Sequence, residues 1–190
     1  TYCIKEKSVA VQRNVGIDAA KGTWTICMDA DNRLRPSFLS QLNQKLRLHP
    51  HTDVFTCLLD TKKLRGVMLR AVEFSNMIMI LTAAIRPFAA GALIGIRTEH
   101  APHLHFDPTY KMSEDHKFIE DAIRKGCRYH VFRQPRYVYS LRRFDREGKL
   151  PMLVKYLRSS VVLFSGQERF QHLLPEYPML GGTYYKYRFQ

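Results

Sequence analysis

The run Trp24-Thr25-Ile26-Cys27-Met28 is apolar and β-branched, and it stops abruptly at Asp29-Ala30-Asp31-Asn32. This change of character constrains the chain more than any other stretch, because it reads as a buried strand that runs into a loop. Lys21-Gly22 stops whatever precedes it, so the strand is expected over residues 23–28. On an extended segment residues i and i+2 share a side, which would present Asp29 and Asp31 together at the carboxyl edge of a sheet. Open α/β sheets bind ligands at that edge. Two hard oxygen ligands there suit Mg²⁺ or Mn²⁺ carried with a diphosphate. The same Asp-x-Asp spacing also occurs in turns where Asp caps the next helix, and the bare pattern leaves both uses open.

The flanking segments predict a layered domain. Ala10, Val11, Val15, Ile17 and Ala20 form a short helical pattern closed by Gly22. Pro36 opens a second helix in which Phe38, Leu39, Leu42 and Leu46 recur until Pro50, and residues 54–59 form a second strand-length apolar run before Asp60. Helix, strand, helix, strand argues for an α/β domain with a largely parallel sheet. Residues 64–85 read as a long helix, buried or facing a membrane. Arg70, Glu73 and Asn76 interrupt its first half and Arg86-Pro87 closes it, so it does not read as a membrane span. Residues 92–96, between Gly91 and Arg97, read as a strand whose backbone is approached closely. His100, His103 and His105 follow in a Pro-interrupted loop, with no regular element, cysteine or spaced carboxylate to complete a zinc set.

Ser113-Glu114-Asp115-His116 opens a further helix, with Phe118, Ile119, Ala122 and Ile123 on one face and Gly126 closing it. Acids after a Ser satisfy a helix cap and dipole without any chemistry. The same position also keeps a carboxylate ionised and able to take a proton. Residues 128–132 and 136–140 read as two short strands split by Gln134-Pro135. The basic run Leu141-Arg142-Arg143-Phe144-Asp145-Arg146 then offers either a bidentate grip on a phosphate or a solvated charged face. In residues 150–164, Lys155, Arg158 and Ser159 share a narrow face, while Leu153, Tyr156, Leu157, Val161 and Phe164 fill the rest. Such an amphipathic helix either caps the core or lies in a lipid interface. The tail 177–190 interleaves Tyr184, Tyr185, Tyr187 and Phe189 with Lys186 and Arg188, which suits an interface and single-stranded nucleic acid equally.

Charge narrows the class of partner. Thirty Lys and Arg against 17 Asp and Glu give +13 at pH 7, which implies a nucleotide, a phospholipid surface or nucleic acid. With 190 residues, 45% of them hydrophobic and 25% charged, the chain can build a real core, and disorder is excluded. Cys3, Cys27, Cys57 and Cys127 lie far apart without a C-x-x-C pair, so reduced thiols in a cytosolic setting are expected.

Taken in order, these features resemble the family-2 glycosyltransferases with the GT-A fold. The matching residues are Arg13-Asn14 with Gly16, Ala20 and Gly22, then Asp29-Ala30-Asp31-Asn32, Pro36 and Phe38-Leu39. They continue through Gly91-Ala92-Leu93-Ile94 with Arg97, Phe106-Asp107, Glu114-Asp115, Gly126 and Ser140-Leu141-Arg142-Arg143-Phe144 before Gly148. The Ser-x-Arg-Arg pattern is similar to members acting on membrane-bound or polyprenyl-linked acceptors.

The resemblance implies a GT-A-like (Rossmann-like) α/β fold with a mixed, mostly parallel sheet flanked by helices. It implies a partial GT-A domain over 1–148, lacking the amino-terminal nucleotide-binding segment, followed by an amphipathic helix and a basic, aromatic tail over 149–190. The implied chemistry is metal-assisted inverting transfer from a nucleotide-sugar donor to a glycan or lipid-linked acceptor, as in envelope biosynthesis, at the inner face of the membrane. Asp31 would be the metal ligand, with Asp29 a second ligand or a sugar or ribose contact. Arg13 would lie near the donor phosphates. Asp115 would be the base, with Glu114 as second candidate, and His116 would orient the diphosphate. Arg142 and Arg143 would steady the leaving nucleoside diphosphate, although the full Gln-x-x-Arg-Trp form of processive enzymes is lacking. The competing reading is a non-catalytic basic module that binds nucleic acid or anionic lipid, its carboxylates serving only as caps.

Overall fold

A computed structural model describes residues 8–85, 87, 92–110, 114–152, 154–155 and 158, the side chain of Arg143 excepted. The elements are α1 (Val9–Ala19), β1 (Trp24–Met28), α2 (Phe38–Leu48), β2 (Val54–Leu59), α3 (Gly66–Thr82) and β3 (Leu93–Arg97). A 3₁₀ turn (Thr98–His103), α4 (Glu114–Arg124), β4 (Tyr129–Tyr137) and α5 (Arg142–Glu147) follow. Residues 149–152, 154–155 and 158 are also helical. The other positions expected to build the carboxyl-terminal amphipathic helix, among them Leu153, Tyr156, Leu157, Ser159, Val161 and Phe164, lie outside the described residues. So do the tail 177–190, Cys3, Gly91 and Ser113.

The four strands form one mixed sheet in the order β1-β3-β2-β4. Strand β2 pairs in parallel with β4, whereas β3 is antiparallel to both β1 and β2. The expected mostly parallel sheet is therefore corrected: three strands share a direction, but two of the three neighbouring pairs are antiparallel. The sequence could not reveal this, because a strand buried on both faces reads the same in either direction. Strand β1 is also half-buried rather than buried, since among the described strands it forms an edge.

Helices cover both faces. On one side Ala10 and Ile17 of α1 and Phe118, Ile119 and Ala122 of α4 pack with Val54, Ile94, Ile96 and Phe106. On the other, Phe38 and Leu42 of α2 and Val72 and Met79 of α3 pack with Phe55, Cys57, Leu93, Phe132 and Tyr137. Strand β2 lies between these layers and is buried along its whole length. Its carboxyl end is pinned by Asn76, a buried polar residue of α3, whose side-chain amide accepts from the Leu59 N–H at 2.9 Å and donates to the Leu59 carbonyl at 3.0 Å. Ile123 and Leu39, expected on core faces, are exposed.

The two short strands expected across Gln134-Pro135 are one strand, β4. Cys57 pairs with Phe132 but Leu59 with Tyr137, so residues 133–136 bulge out of register and take the proline off the ladder. The close approach expected at β3 is real and falls on Gly95. A Cβ built there would stand 2.1 Å from the Phe55 ring, which itself contacts Trp24 and Phe132 edgewise or tilted at 5.4 and 5.5 Å. Gly95→Ala is expected to cost about 1–3 kcal/mol in urea unfolding by overpacking. Adding Phe55→Leu should recover part of the loss; no recovery would mean the ring is not what Gly95 accommodates.

Candidate functional site

Helix α1 begins at Ser8, whose hydroxyl accepts from the Val11 N–H at 3.3 Å, and it points Arg13 across the carboxyl end of β1. There the guanidinium donates to Asp29 Oδ1 at 3.0 Å and to Glu114 Oε1, in the first turn of α4, at 3.2 Å. Its flat face lies 5.0 Å from the centre of the Phe106 ring, which stacks on Phe118 of α4 at 4.2 Å. The loop carrying Phe106 is held by Asn14, whose amide donates to the Phe106 carbonyl at 2.8 Å and accepts its N–H at 2.7 Å. Arg13, Asp29, Glu114 and Asp115 therefore share one sheet edge.

The other half of the site is built by Asn32 and Arg33. Residues 29–32 form a turn, with the Asn32 N–H donating to the Asp29 carbonyl at 3.1 Å. The expected extended presentation of Asp29 and Asp31 is thus replaced by a turn in which each carboxylate meets a different cation. Asn32 donates to the Ala92 carbonyl at 2.8 Å and accepts from the Ser140 N–H at 3.3 Å, while Arg33 and Val138 exchange backbone hydrogen bonds of 2.9 Å each. These ties bring α5 against the turn, and Arg142 donates to Asp31 Oδ2 at 2.9 Å, both side chains partly exposed.

Other candidates stand apart. His116 is buried in the first turn of α4. His100 and His103 sit on the 3₁₀ turn rather than in an irregular loop; His100 faces Asp53 at 3.5 Å and His105 meets Asp18 at 2.7 Å. Among the described residues no three His, Cys, Asp or Glu side chains gather as a metal site would need. The chain pattern gave no sign of what Asn14, Asn32 and Phe106 do here. Their partners lie 60 to 108 residues away for the asparagines, and no local periodicity records such a pairing.

A family model described as glycosyl transferase family 2 matches residues 3–101, just over half of the chain. Succinoglycan biosynthesis protein ExoO of Rhizobium meliloti (strain 1021) is 24% identical over 158 residues, which covers 75% of this chain and 44% of that protein. The chain thus spans less than half the length of this curated relative.

The charges at the site are strongly interdependent. Burial works against the cation of Arg13, but Asp29, Glu114 and Asp115 outweigh it and hold its pKa above the ordinary value. Burial raises Glu114 despite Arg13. Asp115, crowded by protein and repelled by Glu114, is pushed up to about 7. An unfolded Asp titrates near 4. Between those values the native chain holds a proton that the unfolded chain has lost, so this group lowers stability as pH rises through the window. Asp115→Asn is expected to raise Tm at about pH 8, with the gain shrinking toward pH 5. An unchanged Tm at the higher pH would show that the carboxylate is not desolvated.

Proposed function

The chain belongs to glycosyl transferase family 2, and from that membership we propose that it carries the donor-handling and base-bearing part of an enzyme that moves a sugar from a nucleotide-sugar to a hydroxyl acceptor. The observation that supports this most is the gathering of Asp29, Glu114 and Asp115 around Arg13, with Asp31 beside Arg142 at the same sheet edge.

Asp115 is the base of this reading. A carboxylate whose proton affinity lies near neutrality can take the acceptor hydroxyl proton and still be ionised at working pH. As that proton leaves, the acceptor oxygen bonds to the anomeric carbon and the carbon–oxygen bond to the diphosphate breaks, in one in-line displacement that inverts the centre. Glu114, engaged by Arg13, is the second candidate. Arg13 sits near the donor phosphates and serves foremost as the counter-ion that lets the three acids share the edge. His116, in the first turn of the same helix as both acids, is the candidate for orienting the diphosphate.

Asp31, with Asp29, would hold Mg²⁺ or Mn²⁺ through hard carboxylate oxygens, in competition with the Arg142 and Arg13 guanidinium groups that these acids now meet. Such a cation, when bound, neutralises charge that builds on the departing diphosphate. Arg142, joined by Arg143, steadies that leaving group; the Arg142 guanidinium, which donates to Asp31, supports this reading.

The acceptor in this reading is a glycan or lipid-linked hydroxyl in cell-envelope biosynthesis, at the inner face of the membrane. The name of the relative, a succinoglycan biosynthesis protein, supports a glycan product. No helix of the described residues is long and apolar enough to cross a membrane.

Calorimetric titration of nucleoside diphosphates and nucleotide-sugars, with and without Mn²⁺, tests the reading. Mn²⁺-dependent binding is expected, weakened more than about 10-fold by Asp31→Ala, or roughly 1.4 kcal/mol. Binding that ignores both the metal and the substitution would sink the role given to Asp31.

A further inference from the structure

Helix α3 is apolar on two opposite sides. Val72, Asn76 and Met79 face the sheet, as a covering helix requires, and Met68 packs with Phe144 and Met152. At 100° per residue Val67, Phe74, Met77 and Leu81 fall on the other side, and they are exposed, from 45% for Met77 to 62% for Leu81; Ile85, in the turn just after the helix, is 89% exposed. From Val67 to Leu81 the stripe runs about 21 Å along the helix axis, and Ile85 extends it into the turn that follows. Four large apolar side chains in one line, with a fifth just beyond, are not the scattered exposure of an ordinary surface.

Charge tells what this face is built to meet. Lys62, Lys63 and Arg65 are exposed just before the helix, and Arg70 is exposed within the stripe, against a single exposed acid, Glu73, at its flank. Aliphatic and aromatic groups framed by cations match the boundary between acyl chains and anionic headgroups. The stripe itself offers no hydrogen-bonding group except Arg70, so it does not suit nucleic acid. A second copy of a chain carrying +13 would be repelled by this one.

We propose that the outward face of α3 is a peripheral membrane-docking surface that lies in the plane of an anionic lipid bilayer. Phe74, Leu81 and Ile85 enter the acyl boundary, while Arg70 and the cations at residues 62–65 meet lipid phosphates. The surface is separate from the carboxylate cluster, and the inference does not rest on the transferase reading. The amphipathic pattern in residues 150–164 is not needed for it.

The test is flotation of the full chain with vesicles of phosphatidylcholine mixed with phosphatidylglycerol, against phosphatidylcholine alone. Binding to the anionic vesicles is expected. The double variant Phe74→Asp, Leu81→Asp should lower the partition coefficient by about 100-fold, since two large apolar groups leave the lipid. Arg70→Glu should lower it by about tenfold at low salt. Both changes are on the solvent side of the helix, so circular dichroism and nucleotide titration should be unaltered, which separates failure here from failure of the donor site. Phe74→Trp should shift its emission to the blue only when vesicles are added. A chain that stays in the vesicle-free fraction, or a double variant that floats like the parent, overturns the proposal. So does an emission already blue in buffer, which would mean that a segment of the same chain covers the face. Sedimentation showing self-association that the double variant abolishes would assign the face to a second copy and overturn it equally.

Discussion

Burying Arg13 beside Asp29 and Glu114 strips water from the guanidinium and from Glu114, while Asp29 keeps part of its solvent, and the arrangement survives because each charge faces a partner of opposite sign. Remove the guanidinium and the loop after β1 and the start of α4 would oppose each other as bare acids. With it, the two elements can approach closely enough for Asp115 to be crowded as well. The aromatic pair Phe106 and Phe118 walls the cation from below and excludes water, which strengthens every interaction of the cluster. The chemistry attributed to Asp115 is thus a by-product of how Arg13 is packed.

A second constraint is geometric. Two asparagines, neither acid nor base, fix the positions of the groups that carry charge. Asn14 locks the Phe106 loop against α1, and Asn32 joins the Asp turn to both the start of β3 and the segment after β4. With the Arg33–Val138 bridge, these bonds hold Arg142 over Asp31. An amide can donate and accept at once, so one side chain can tie a backbone carbonyl to a backbone N–H, which a charged group that only donates or only accepts cannot do.

Much of the layout was legible from the chain. The change from Met28 to Asp29, the Pro36 start of α2, the apolar run of β2 and the Gly126 stop of α4 are local signals, and the elements lie where they point. The acids and cations of the site were also visible as residue types. What local patterning does not carry is direction and pairing. It cannot tell that β3 runs against its neighbours, that β4 passes through Pro135 by bulging, or that Arg13 spends its charge on two carboxylates from separate elements. Those are long-range facts, decided by which surfaces meet once the layers stack.

The placement of β2 has a consequence for how the molecule comes into being. Its six residues, five of them apolar, are buried between β3 and β4, yet Val54 pairs with Ile96 on one side and with Tyr129, some 75 positions later, on the other. On a ribosome the innermost strand is therefore made early and completed late: one edge stays open until β3 has been made and the other until β4 has. The chain must shield that segment by transient collapse or with a chaperone until β4 emerges, so slowing translation after residue 59 should lower the soluble yield more than slowing it after residue 137.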